Sequence, residues 1–263
     1  MNTIRWADFK SNTSQLRGAM WGVMRAALLA LALAGMLGGC ATPNAGSAAN
    51  SSDDERDPVE SVNRAVFAFN QGLDTVLIRP VAVGYEFVLP TPIRTGVSNF
   101  FDNIGDVFVG VNNLLQGKPG QAASDLGRVL VNSTMGIAGL IDVASPMGLE
   151  KHNEDFGQTL AVWGVGSGPY VVLPVFGSRT LRDTGGLVVD TAADPLNEVE
   201  PDGARYGLSA LRVVDLRAGF LPAEKVLDSA ALDKYSYLRS AYLQRRRSLI
   251  FDGNPPREEV PEE

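Results

Sequence analysis

The chain has one cysteine, Cys40, and it closes a segment whose apolar run covers residues 26–37. No internal disulfide can staple this fold, and a single histidine leaves too few ligands for a Cys/His zinc site. The mature protein must therefore hold together by burial and hydrogen bonding alone. A run of 12 apolar residues broken only by Gly35 is shorter than the ~20 residues needed to cross a bilayer as a helix. With Arg5, Lys10, Arg17 and Arg25 ahead of it, the run reads as the core of a signal peptide, and residues 1–39 as an address to be removed.

Leu37-Gly38-Gly39-Cys40 looks like a bacterial lipobox. Small residues open the bond before Cys40 to a peptidase, and the thiolate is the nucleophile that takes up diacylglycerol. An ordinary buried cysteine is the plainer alternative, but the position directly after a small-residue cleavage site favours lipidation. Ala41 rather than Asp follows, which resembles the sorting pattern of outer-membrane lipoproteins. Each acyl chain contributes ~0.8 kcal/mol per buried CH₂ and more than one gives stable anchoring; with the sorting pattern that Ala41 resembles, the expected place is the cell outer membrane, lipid-anchored at Cys40 on the periplasmic side. No other cofactor and no metal is expected. Residues 42–56 carry no apolar periodicity and read, with Cys40, as a tether reaching about 20 Å.

Charge narrows the partners. The chain holds 23 Lys+Arg and 30 Asp+Glu; losing four cations and one anion with residues 1–39 leaves 19 against 29, a mature net charge of −10. Such a surface is not drawn to nucleic acid or to anionic headgroups by bulk electrostatics, so no nucleic-acid partner is expected. Apolar surface and the anchor must supply the membrane contact.

The mature chain reads as mostly α, a series of short helices broken by glycine and proline. Asp57-Pro58-Val59-Glu60 offers an N-cap, a first-turn proline and an acid, and Val59, Val62, Val66, Phe69, Leu73 and Val76 then form one apolar stripe. That helix is expected to stop near Ile78, since Pro80 disfavours helical geometry at Arg79. Phe67 lies off the stripe and is free to face a partner or lipid. Further helices are expected over 92–104, 106–116, 121–135, 178–191, 204–218 and 223–250, with an edge strand at 170–173 limited by Pro174. One helical domain over 57–252 results, followed by an acidic, proline-rich and disordered tail, 253–263. Twenty-three glycines in 224 mature residues is high for a helical protein and suits helices that curl around something.

Catalytic constellations are poorly served. Trp163-Gly164-Val165-Gly166-Ser167-Gly168-Pro169 lacks a preceding strand and a Gly-Lys-Ser/Thr, so it reads as an apolar turn rather than a phosphate loop. Val165 and Pro169 stand where a nucleophile elbow around Ser167 requires glycine. His152 lies in a charged stretch and reads as a solvated histidine. Arg245-Arg246-Arg247 reads as a cationic helix end answering the macrodipole, in preference to a headgroup site. Two apolar stretches remain, 135–148 with its one acid Asp142, and 170–176; core packing explains them as well as lipid contact does.

Taken in order, several motifs resemble the MlaA/VacJ family of outer-membrane lipoproteins. They are Asp57-Pro58, Asn63-Arg64, Arg79-Pro80-Val81-Ala82, Ser98-Asn99-Phe100, Leu115-Gln116-Gly117 and Gly139-Leu140-Ile141-Asp142-Val143-Ala144. Phe156-Gly157-Gln158-Thr159-Leu160, Gly164-Val165-Gly166, Gly168-Pro169-Tyr170, Leu173-Pro174 and Leu181-Arg182-Asp183 continue the series. The resemblance implies a ring-like helical domain with a central amphipathic passage, lying in the inner leaflet of the outer membrane. It implies a protein that is not an enzyme: one that removes phospholipid mislocalised to the outer leaflet and passes it to a soluble periplasmic carrier. A trimeric outer-membrane porin and, indirectly, an inner-membrane ABC transporter are the partners it implies. Phe67, Met135, Ile137, Leu140, Asp142, Tyr170 and Phe176 are the candidates for the lipid path, and Cys40 is the lipidation site. Two other readings compete: a membrane-anchored lipid hydrolase using Asp142 and Asp183, and a purely structural porin-associated lipoprotein.

Overall fold

The computed structural model describes residues 57–257; the expected signal peptide, Cys40, the expected tether to residue 56 and the end of the acidic tail lie outside the described residues. Helix α1 (Glu60–Leu73) runs into a single π-helical stretch (Asp74–Ile78) and on into α2 (Arg79–Val88) without the break expected at Ile78. The widened turn is the physical reason. Pro80 has no N–H to give and its ring crowds the carbonyl four residues back, and a π turn immediately before it relaxes both demands.

The start of α1 also differs from the expected cap. Asp57 does not cap with its side chain; it is buried, accepting hydrogen bonds from Asn63 (2.7 Å), Arg239 (3.1 Å) and the Tyr235 hydroxyl. A buried carboxylate gains more from a cation and two donors than from one exposed amide. The apolar stripe faces outward: Val59, Val62, Phe69 and Val76 are exposed. Val66 and the off-stripe Phe67 pack inward against the cluster of Tyr170, Val172 and Tyr235.

Residues 92–104 and 106–116, read as two helices, are one: α3 (Thr91–Leu115) passes through Gly105, whose missing side chain meets open space. An interior glycine costs about 1 kcal/mol but removes no backbone bond. At Gly117, with φ +76°, the chain turns through a left-handed C-cap closed by Lys118 N–H to Asn113 O (2.8 Å). Helix α4 (Pro119–Thr134) packs back along α3. Polar groups zip this pair: Asn113 donates to Asp125 (2.8 Å), Asn103 to Ser133 (2.9 Å), and Arg128 reaches Asp106 (3.3 Å).

An irregular segment leads to the short α5 (Phe156–Val162), capped by Asp155 accepting from Gln158 N–H (2.9 Å). Strands β1 (Tyr170–Leu173) and β2 (Gly177–Thr180) form an antiparallel hairpin in the register Tyr170↔Thr180, so β2 takes the start of the helix expected at residue 178. The outer edge of β1 is closed by side chains. Asn63 and Asn70, two turns apart on α1, donate to the Tyr170 and Leu173 carbonyls (3.0 and 2.9 Å) and accept from the Val172 and Val175 amides (both 2.8 Å). Helix α6 (Leu181–Ala193) follows, with Thr180 as its cap. At Gly186 a Cβ would lie 2.4 Å from the Gly157 backbone nitrogen, and this close contact joins α5 to α6.

A 3₁₀ turn (Pro195–Glu198) precedes α7 (Asp202–Ala230), which continues through Pro222 and breaks only before α8 (Lys234–Ile250). The sequence reading placed that break at residues 219–222. Asp233 decides the actual site: its carboxylate accepts the Tyr235 and Ser236 amides and starts α8.

Candidate functional site

The interior is polar and much of the exterior is apolar. Among the described residues, eighteen buried side chains are polar or charged and ten are apolar. Outside, Phe87 is 90% exposed, and Leu77, Val83 and Ile93 are exposed with it. Apolar area left in water forfeits about 25 cal/mol per Å², so a surface of this kind suits contact with something apolar. Among the described residues, no helix is long and apolar enough to cross a membrane.

The buried charges hold the fold in place. Arg246 grips Asp155 (2.6 Å) and Asp183 (2.9 Å), while the Tyr242 hydroxyl donates to the other Asp183 oxygen (2.7 Å). Arg246 is therefore a buried hub joining α5, α6 and α8, in place of the exposed helix-end cation read from the sequence. Burial pulls the Asp183 carboxyl upward, but Arg246, the Tyr242 hydroxyl and Arg182 outweigh it and hold it below the usual carboxylate range. Asp190 goes the other way: burial and the nearby Asp155 charge push it up to about 6, although it accepts the Phe156 amide. An acid with a raised folded-state pKa destabilises the fold at neutral pH, and that penalty fades as pH falls from about 6 toward 4. Asp190→Asn is thus expected to raise the urea midpoint of the purified protein at pH 7 and to have little effect at pH 4.5. A lower midpoint at pH 7 would contradict this.

The carboxylates considered for hydrolysis are already committed. Asp142 accepts from Ser145 (2.5 Å), Asn132 (3.1 Å) and Arg128 (3.2 Å); burial works against ionisation, but these bonds prevail and hold it at about 2. With Asp183 it is ionised and pinned, which is the reverse of a poised general acid. His152 is not solvated: its Nδ1 lies 3.1 Å from the buried Asp125, whose other oxygen accepts the His152 amide. Among the described residues, no group of three or more His, Cys, Asp or Glu is placed to hold a metal.

Space for a ligand lies along α7. A cavity of about 440 Å³ between α3 and α7 is bordered by Ser98, Asp102, Lys151, Arg212 and Asp215. Lys151 pairs with Asp102 (2.6 Å), and Asp215 accepts from both Ser98 and Tyr85 (2.8 Å each). A larger cavity of about 1100 Å³ is bordered by α1, the π turn, α7 and α8. Phe67, Phe220, Leu227 and Leu238 make its apolar wall. Its polar side is Arg217, bidentate to Asp74 (2.7 Å for both bonds) and bonded to Glu224 (2.7 Å). The hydrogen bonds that Arg217 donates to Asp74 and then to Glu224 raise its pKa, so it stays cationic throughout. The larger cavity thus offers both signs of charge beside an apolar wall. A third, almost wholly apolar groove of about 460 Å³ lies between α2 and α7, lined by Val81, Val88, Leu89 and Val214.

Of the lipid-path candidates, Phe67 borders the larger cavity, where its ring also packs edge-on to Tyr235 at 5.6 Å. Met135, Ile137 and Leu140 lie exposed in the segment after α4, and Phe176 is exposed at the hairpin tip. Tyr170 is 1% exposed, packed in the interior with its hydroxyl on Ser178 (2.7 Å). The sequence reading missed Asp74, Arg217 and Phe220. One signal was available: residues 212, 216, 220, 223 and 227 share a helix face, but splitting α7 at Pro222 concealed it.

A polar interior, an apolar exterior and amphipathic cavities define a helical protein built to face an apolar medium as well as water. The chain belongs to the MlaA lipoprotein family, whose model matches residues 55–249. It is 37% identical to the intermembrane phospholipid transport system lipoprotein MlaA of Escherichia coli, over 90% of this chain and 94% of that one. The Haemophilus influenzae protein of the same name is 32% identical, over 86% and 90%. An uncharacterised protein of Rickettsia typhi is 37% identical over 74% of this chain and 78% of its own length. A solved structure concerned with the "structural basis for maintenance of bacterial outer membrane lipid asymmetry" superposes with a TM-score of 0.65 at 37% identity, covering 75% of this chain and 99% of that one.

Proposed function

We propose that this protein is an outer-membrane lipoprotein that removes phospholipid mislocalised to the outer leaflet and passes it to a soluble periplasmic carrier. The observation that carries the reading is the pairing of an outward apolar surface with amphipathic cavities along α7, in a chain whose relatives bear the name of a phospholipid transport system. A phospholipid needs polar partners for its headgroup and an apolar wall for its tails, because burying an unpaired charge is costly. The larger cavity offers Arg217, Asp74 and Glu224 for the first and Phe67, Phe220 and Leu227 for the second.

In this reading the lipid on Cys40 tethers the domain to the periplasmic side, and the exposed apolar residues seat it in the inner leaflet as a ring around the passage. A trimeric porin holds it there, and an inner-membrane ABC transporter sets the direction of flow through the carrier. The segment 135–148, with Met135, Ile137, Leu140 and Asp142, and the hairpin tip at Phe176 are further lipid-facing candidates.

The test is outer-leaflet phospholipid on intact cells with and without the gene. Deletion is expected to raise it several-fold, with wild type restoring the balance and Cys40→Ala failing to do so through mislocalisation. Unchanged outer-leaflet phospholipid on deletion would overturn the reading, and release of fatty acid or lysolipid by the purified protein would favour a hydrolase.

A further inference from the structure

The two polar-lined cavities follow one helix face. On α7 the smaller is bordered by Arg212, Leu216 and Phe220, and the larger by Phe220, Ala223 and Leu227. Steps of three and four residues place all of these on one side of the helix. Among the described residues, Phe220 alone borders both cavities.

The chemistry on either side of this ring is similar, and the ring itself differs from both. One side has Arg212, paired with Asp194 (2.7 Å), and the Lys151–Asp102 pair; the other has Arg217 with Asp74 and Glu224. A headgroup carrying phosphate and ammonium therefore finds both signs of charge in each cavity. Between them it meets a phenyl ring that offers no polar partner, so the desolvation cost of transit is concentrated at this point.

The turn beneath the ring lacks one helical hydrogen bond, while its neighbours Ala218 and Leu221 are buried against Ala82. A Cβ on Gly219 would meet open space, and Pro222 gives no N–H to the carbonyl of Ala218. Phe220 is itself 58% exposed, so its side chain is not wedged into a packed core. An aromatic plate with two torsions on a weakened helical turn can swing without disturbing the buried ion pairs.

We propose that Phe220 is a valve between the two cavities, which a phospholipid displaces as it moves from one to the other. The proposal rests on the phospholipid-removal reading and adds to it the point where passage is limited. A smaller side chain lowers the barrier and a larger one raises it.

The experiment fills the outer leaflet with phospholipid by chelator shock and follows its clearance in cells carrying wild type, Phe220→Ala, Phe220→Trp or no gene. Phe220→Ala is expected to clear about threefold faster and Phe220→Trp about threefold slower, with equal protein levels and equal thermal midpoints of the purified proteins. Shifts of opposite sign are not what a merely structural residue produces. If both variants clear at the wild-type rate, or both slow, the valve is overturned while the transport reading stands. If the strain without the gene clears as fast as wild type, the transport reading fails and the valve fails with it.

Discussion

Arg246→Met is expected to cost about 3–5 kcal/mol of stability, enough to unfold much of the population of a marginally stable domain. The guanidinium lies in the interior against the buried Asp183, which its loss leaves with Arg182 and the Tyr242 hydroxyl alone, while Asp155, 41% exposed, turns to water. Urea denaturation of the purified mature protein at pH 7 measures the effect. A loss under 1 kcal/mol would mean that water replaces the cation easily and that α5, α6 and α8 are held by other contacts. Acid has a predictable influence. Asp183 titrates below its ordinary range when folded, so its contribution is complete above about pH 4 and disappears as pH falls through its folded value. The gap between wild type and Arg246→Met should therefore narrow in strong acid.

The second large effect concerns function and leaves the fold intact. Leu77→Asp with Phe87→Asp places two charges on exposed apolar positions of the π turn and α2 that line neither polar-lined cavity. A charge facing hydrocarbon costs about 2.5–3.5 kcal/mol at the bilayer centre and less near the interface. Neither side chain is packed in the interior, so the urea midpoint of the purified protein should shift by less than about 0.5 kcal/mol. Cells carrying this variant are expected to accumulate outer-leaflet phospholipid as the deletion does, although the proposed anchor at Cys40 is untouched. Normal outer-leaflet phospholipid with this variant would show that the apolar exterior has another use.

Both effects depend on one feature, a polar inside and an apolar outside, and the sequence disclosed it only in part. The stripe Val59, Val62, Val66, Phe69, Leu73 and Val76 was readable from spacing alone. Spacing reports that a helix has an apolar face but not whether that face meets a core or a lipid. Here most of it points out, and Phe67, which lay off the stripe, packs against Tyr235. Asn63 and Asn70 show the same limit. Their seven-residue spacing was visible, but their task of closing the edge of β1, over a hundred residues away, was not.

Helix boundaries were misjudged where a local rule met tertiary compensation. Pro80, Gly105 and Pro222 each interrupt good helical geometry, and each lies within or beside a continuous helix. A π turn absorbs the first, packing along α4 supports the second, and the contacts of α7 with α2 and α3 carry it past the third. The path along α7 was lost for this reason, since its face is continuous only if the helix is.

Sequence alone determined the helical character and the family, and it carried the expectation of a lipid at Cys40. These are local or compositional properties, and adjacent residues suffice to state them. Tertiary structure decided which apolar faces turn outward and which acids are tied down by Arg128 and Arg246. It also decided that Phe220 stands between two cavities. Those are relations between residues tens to hundreds of positions apart, and their energies arise only when folding removes water from between them.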